Sequence, residues 1–233
     1  MTLGIMQPYL FPYIGYFQLI HAVDIFVIYD DVQWIKGGWI NRNRYLIQGR
    51  PLYFTLPVEK GAFPININQQ VFVSNIKYHK QRILRQIENS YSKAPHFDRV
   101  FALVSKCFSC KENNVSAFVI NSLRECCACL NIKTPFVLSS ELNKQNELKA
   151  QERVLDINKV MGSHHYINPI GGINLYDKAY FAEMGVRLSF IKTREMAYPQ
   201  FKGVFFPFMS IIDVMMFNSE KEISSLLEEF DLE

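Results

Sequence analysis

The sequence predicts an α/β fold: one domain over residues 1–233, built on a mostly parallel sheet with flanking helices and a helical insertion at about 77–130. Three observations lead there. Leu3–Met6 and Ile25–Tyr29 are short apolar runs without polar alternation, as strands buried on both faces require. Between them, Tyr16–Ala22 places Phe17, Leu19 and Ile20 at helical spacing, so strand, loop, helix and strand follow one another closely. Later strand-like runs at Phe136–Leu138, Tyr166–Ile167 and Arg187–Ile191 alternate with helical segments at 149–162 and Asp177–Met184. Together they describe a Rossmann-like sheet.

The remaining elements follow in order. The first strand enters a Pro- and Tyr-rich turn running from Gln7 to Gly15. Asp30 to Asn43 is polar and aromatic and turns at Gly37-Gly38. Arg44–Ile47 and Leu52–Pro57 flank Gln48-Gly49-Arg50-Pro51 and predict a hairpin. Residues 58–70 read as a loop and Val71–Val73 as a further strand. Lys77–Tyr91 is amphipathic, with Ile83, Leu84 and Ile87 inward and Lys80, Arg82 and Arg85 outward. Segments 99–110 and 115–130 predict an antiparallel helical hairpin around the polar turn Lys111-Glu112-Asn113-Asn114. Gly162 ends the 149–162 helix and Gly185 the next. Ser210–Phe217 and Glu220–Phe230 are helical, with Ser219 as an N-cap.

Composition narrows the function. With 49% apolar and 20% charged residues the chain is an ordinary globular protein. A net charge of +3 is too small to argue for nucleic acid and suits a small anionic ligand better. The 19 Phe, 12 Tyr and 2 Trp supply core, but Tyr and Trp also line pockets that hold rings. The N-terminal apolar stretch lacks a basic region and is interrupted by Pro8, Pro12, Gly15 and Asp24, so a soluble, cytoplasmic protein without membrane insertion is expected. Cys107, Cys110, Cys126 and Cys129 match paired C-x-x-C spacing. A tight helical hairpin would separate the two pairs by roughly 15–20 Å, at about 1.5 Å per helical residue. Reduced, partly buried thiols are therefore expected, with no metal site.

Several constellations could carry chemistry. In α/β sheets ligands bind beyond the carboxyl ends of strands, where the first turn falls; Gln7, Tyr13, Gly15 and Tyr16 are its candidates. Tyr13 and Tyr16 around Gly15 resemble the H-x-G-H turn of nucleotidyltransferases with both histidines replaced, and tyrosine does not carry charge as histidine does. A packed aromatic turn is the alternative. Asp30-Asp31 at a strand end could hold a metal, act as a general base or hydrogen-bond an amine or ribose, or else be a solvated strand end, and side-chain alternation lets at most one of the two aim into a given pocket. Asn41-Arg42-Asn43-Arg44, with Trp39 before it and Lys60 in the following loop, offers guanidinium forks and amides for a phosphate or carboxylate, or else a charged surface. Asn168, Gly171 and Gly172 form a tight turn that allows close backbone approach; Tyr176 and Asp177 follow, the latter suited to capping a helix. His79, early on an amphipathic helix, is a further candidate base.

Longer motifs carry a resemblance. Met6 to Tyr16 (MQPYLFPYIGY), Tyr29-Asp30-Asp31-Val32-Gln33, Trp39 to Arg44 (WINRNR), Tyr166-Ile167-Asn168-Pro169 with Gly171-Gly172, and Ser210 to Asn218 (SIIDVMMFN) are similar to the signatures of the WbqC-like family. His79, Tyr91 and Ala94-Pro95 fit the family's helical segment. The resemblance spans essentially the whole chain. It implies a role in O-antigen or other surface-polysaccharide synthesis: transfer of an acyl or aminoacyl group, glycyl among them, from a small donor to the amine of a nucleotide-linked amino sugar. On that expectation Asp30, Asp31 and His79 are catalytic and the other candidates bind substrate. An ATP-dependent nucleotidyltransferase or ligase, and a non-catalytic binding protein of an assembly pathway, are the alternatives.

Overall fold

A computed structural model describes residues 1–61, 64–201 and 203–233. Its centre is a six-stranded sheet of β1 (Thr2–Met6), β2 (Ile25–Ile28), β5 (Phe136–Leu138), β6 (His165–Pro169), β7 (Arg187–Thr193) and β8 (Phe230–Leu232), in the order β5-β2-β1-β6-β7-β8. Every pairing is parallel except β7 with β8. The chain moves outward from β1 through β2 to β5, then returns to lay β6 on the opposite side of β1. Strand order therefore reverses at β1, and ligand crevices in open α/β sheets form beyond the carboxyl ends at such a reversal.

The short apolar strands bury both faces, as the absence of alternation requires. On one face Leu3, Ile5 and Val27 pack with α5 (Ala150–Val160) and α6 (Lys178–Glu183). On the other, Phe26, Ile28 and Ile167 join a larger core shared with α1 (Ile14–His21), α7 (Ile211–Phe217), α8 (Glu220–Leu227), a separate hairpin and three helices. The hairpin is β3 (Arg42–Ile47) with β4 (Arg50–Thr55). Its two-residue turn, Gln48-Gly49, has φ of 51° and 73°, the left-handed pair a tight hairpin of this hand requires. The helices are α2 (Ile76–Tyr91), α3 (Phe97–Ser109) and α4 (Val115–Cys129). Their apolar faces enter the same core as α1 and the hairpin.

Four sequence expectations are corrected. Lys80 points inward, not outward: it is 6% exposed, donates to the Cys110 carbonyl at 2.9 Å and lies 4.0 Å from the Phe118 ring centre. Its stem covers apolar surface while its charge meets the carbonyl at the end of α3. Val71–Val73 forms isolated bridges, Val71 to Asn114 and Phe72 to Val58, in place of a strand. Within the expected loop 58–70, Ala62 and Phe63 lie outside the described residues. The tail helix stops at Leu227 and Phe230–Leu232 closes the sheet as β8, because Glu229 and Phe230 turn the chain back onto β7.

The fourth correction concerns the cysteines. Residues 110–114 run back beside Val71 instead of turning tightly, so α3 lies against the far half of α4, where Lys106 pairs with Glu125 at 2.7 Å. This brings Cys107 beside Cys126 and removes the separation on which the case against a metal rested. All five thiols are free. Burial pushes Cys107 and Cys127 up to about 12. Among the described residues no group of three or more His, Cys, Asp or Glu is placed to hold a metal ion. Among the same residues no helix is long and apolar enough to cross a membrane.

Candidate functional site

The turn after β1 is held from outside itself. Asn43, 3% exposed on β3, donates to the carbonyls of Leu10 and Phe11 at 2.9 and 2.8 Å. Ser210 donates its hydroxyl to Phe11 O at 2.7 Å, and Ile211 N bonds Pro12 O at 2.8 Å. Thus fixed, buried Phe11 adopts φ 42°, a strained value for a non-glycine residue that the surroundings must over-determine. The turn ends at Tyr13, the N-cap of α1, whose side chain makes no capping bond. Tyr16 N bonds Tyr13 O at 3.1 Å, and among the described residues the amides of Ile14 and Gly15 are left for another acceptor.

Gly15 lets this corner close. A Cβ there would sit 2.4 Å from both the Tyr13 ring and Thr193 Oγ1 at the end of β7. Thr193 in turn donates to the buried amide oxygen of Gln18 at 2.7 Å. Gly15→Ala is expected to cost about 1–3 kcal/mol by overpacking. An unchanged urea midpoint for that variant would refute the close approach.

Beside this corner lies a cavity of about 560 Å³ bounded by Tyr13, Ile14, Thr193, Glu195, Tyr198 and Phe208. A second, of about 190 Å³, opens between Tyr9, Tyr13, Trp39, Arg44 and Phe208. Tyr13 and Phe208 belong to both, and their rings meet edge-on at 6.0 Å. Burial raises the Tyr13 hydroxyl's pKa, partly offset by its hydrogen bond with Thr193, so it remains a neutral donor at physiological pH.

The outer wall is made by residues 194–198 and 205–209, anchored by one buried carboxylate. Asp213, fully buried on α7, accepts from Tyr91, Tyr198 and Gln200, each at 2.7 Å. Gln200 then grips Phe206 through both its amide oxygen and its amide nitrogen. Burial pushes the Asp213 carboxyl above its ordinary value, while the three donors pull it part of the way back. Near the end of the segment Phe208 has φ 56°, held by Arg44, whose Nε and Nη2 donate to Phe208 O and Pro207 O at 3.2 Å.

The two adjacent carboxylates lie just beyond the end of β2 and take different partners. Asp30, 3% exposed, accepts from the amide and hydroxyl of Ser140 at 3.0 and 2.7 Å and from Asn68 at 3.4 Å. Asp31 pairs with Lys144 at 2.6 Å and Arg153 at 2.7 Å. Lys144 also donates to the Ser139 carbonyl. Burial pushes the Asp31 carboxyl upward, but its hydrogen bonds and the two cations outweigh that and hold it below its ordinary value. Neither aspartate lines the two cavities.

The other candidates separate into groups. Tyr13, Trp39 and Asn43 gather at the cavities with Arg44, Gly15 packs behind Tyr13 and Thr193, and Gln7 lies half-buried just past the end of β1. Tyr16 is 2% exposed and spends its hydroxyl on the Gln7 carbonyl at 2.8 Å, so it serves packing. Asn41 closes the hairpin by donating to Leu56 O at 2.8 Å. Arg42 lies over Tyr53 at 4.9 Å and Trp39 at 5.9 Å. Across β6, Asn168 accepts from Tyr166 at 2.8 Å and donates to Pro169 O at 3.1 Å. A Cβ on Gly172 would fall on its side-chain nitrogen, so a larger residue there would push the Asn168 amide off Pro169 O. Tyr176 packs edge-on to Tyr166 at 5.9 Å, and Gly171 is exposed in the same turn. Asp177 caps α6 by accepting from Ala179 and Tyr180. Lys60 is exposed in its loop. His79 has its Nδ1 buried without a hydrogen-bond partner among the described residues, and no carboxylate orients it.

Sequence reasoning missed Glu195, Tyr198 and Phe208, because residues 194–209 carry neither period nor motif, and Thr193, because β7 runs two residues past the expected strand end at Ile191. It missed Lys144 and Arg153 as partners of Asp31 because they lie more than a hundred positions away, Lys144 at a separation of 113. The Ser210 to Asn218 motif did contain Asp213, and a carboxylate amid Ile, Val and Met was a legible sign of a buried anchor.

The WbqC-like protein family matches residues 7–225 of the chain. An uncharacterized protein of Mycobacterium tuberculosis is 29% identical over 227 residues, covering 96% of each chain. No solved structure matches.

Proposed function

The chain belongs to the WbqC-like protein family, and from that footing we propose that it transfers an acyl or aminoacyl group, glycyl among the candidates, to the amine of a nucleotide-linked amino sugar. The reading places it in the cytoplasm, in O-antigen or surface-polysaccharide synthesis. The observation that carries it is the 560 Å³ cavity between the carboxyl end of β7 and the start of α1, where Tyr13 leaves the helix without a side-chain cap. Its size falls within the roughly 300–1,000 Å³ of small-ligand sites. Amides at a helix start suit phosphate oxygens, and the faces of Tyr13, Tyr198 and Phe208 suit a sugar ring.

The reaction needs a base for the sugar ammonium. The carboxylates expected from sequence are committed elsewhere, Asp30 to Ser140 and Asp31 to its two cations. Glu195 is the carboxylate on the cavity wall. In this reading it takes the ammonium proton while nitrogen attacks the carbonyl of an acyl thioester. The amide forms, the carbon–sulfur bond breaks and the thiol leaves with a proton; the neutral Tyr13 hydroxyl can donate to the carbonyl oxygen.

Native mass spectrometry with nucleotide-linked amino sugars, followed by product analysis with an acyl thioester, tests the reading. Retention of the sugar nucleotide and a product heavier by one acyl group are expected. Glu195→Gln should lower turnover about a hundredfold with binding kept. Retention of ATP alone, with pyrophosphate released from a carboxylic acid substrate, would replace this reading with an activating enzyme. Binding of neither would leave a non-catalytic assembly protein.

A further inference from the structure

Just outside the smaller cavity, the β3–β4 hairpin and the loop before it present two large aromatic side chains to solvent. Trp39 is 37% exposed and Tyr53 56% exposed; their ring centres are 6.0 Å apart with planes inclined by 35°. Arg42 lies against both, and its Nε donates to Gly38 O at 3.1 Å. Its two Nη groups make no hydrogen bond and no ion pair among the described residues. Cross-strand register puts Arg44 directly opposite Tyr53, so Arg42, Arg44 and Tyr53 share one face of the hairpin. Trp39 belongs both to this platform and to the wall of the 190 Å³ cavity, which joins the larger one at Tyr13 and Phe208.

We propose that Trp39, Tyr53 and Arg42 form the seat for the nucleobase and outer phosphate of a nucleoside diphosphate whose remaining part enters the cavities. The inference rests on the reading that the site takes a nucleotide-linked ligand. Every base offers a π-face, and stacking on an aromatic side chain is tolerant of base identity. An unpaired guanidinium beside the rings supplies a planar fork for phosphate oxygens. A hairpin needing only cross-strand support would be served by an Arg–Tyr contact alone. The aromatic pair is instead half-exposed at the mouth of a cavity, with the Nη donors of Arg42 unused among the described residues. The order along the path follows: base on the platform, diphosphate past Arg44 and the start of α1, and the distal group in the larger cavity.

Uridine diphosphate alone is the probe. Trp34 is 5% exposed and Trp39 is the solvent-facing tryptophan, so the nucleotide should quench Trp39 emission, and Trp39→Phe should abolish that signal. Tyr53→Ala and Arg42→Gln should each weaken binding, measured by calorimetry, about tenfold or more. Tyr53→Phe should bind as the unaltered protein does. Both positions are on the hairpin surface, so thermal midpoints should stay level, and the Trp39 signal in the unaltered protein tests the seat without any variant. Binding by the unaltered protein with no Trp39 quenching and no loss in Tyr53→Ala would overturn the seat while leaving the nucleotide-sugar reading intact. Failure of the unaltered protein to bind any nucleoside diphosphate or nucleotide-linked sugar would overturn both.

Discussion

Asp213→Ala is expected to lower stability by about 4 kcal/mol, because it strips the shared acceptor from three buried donors at once. Tyr91, Tyr198 and Gln200 each lose a 2.7 Å bond, and all three side chains are buried. The loss also reaches the cavity wall, since Gln200 and Tyr198 anchor the segment that carries Phe208. Urea unfolding should show the drop in midpoint, and ligand retention should fall with it. The pH dependence has a definite sign. Burial raises the folded-state pKa of Asp213, so the native state holds this proton more tightly than the unfolded chain does. Its contribution therefore declines as pH rises from the ordinary carboxylate value through the raised one, and is level above that. Asp213→Asn should remove this decline, and a constant difference between the two proteins from pH 4 to 7 would count against the assignment.

Asp31→Ala is the second large effect, at about 3–5 kcal/mol, because it leaves two cations facing each other without their shared anion. Lys144 is the more costly of the pair, with a side chain only 1% exposed. Here the sign reverses. The folded-state pKa of Asp31 is lowered, its cations outweighing burial, so its contribution is complete above the ordinary carboxylate value and is lost as pH falls through the lowered one. Replacing all three residues together with apolar ones of similar size separates structure from chemistry. Recovery of stability with turnover retained would make the triad a tie between the strand end and the 139–149 loop. Recovery with turnover lost would give it a part in the reaction.

The sequence by itself determined the class of fold, the strands nearest the centre and the ends of several helices. Those features depend on local physics. Uninterrupted Val, Ile and Phe runs bury both faces of a strand, Gly162 and Gly185 adopt the φ of 66° and 78° that end a helix, and Ser219 caps the last helix by accepting from Glu222 N. The long motifs also placed the chain in its family. Tertiary structure alone decided what the motif residues do. Asn43 and Tyr16 both sit in such signatures, yet one fixes the turn after β1 and the other is consumed by the core. Asp30 and Asp31 are neighbours whose partners lie 110 and 113 positions away. The cavity wall comes from a segment with no pattern, held to the body by a carboxylate on α7. A side chain's chemistry depends on which distant atoms desolvate it or bond to it, and those atoms are brought together only when the sheet closes and its two faces are covered.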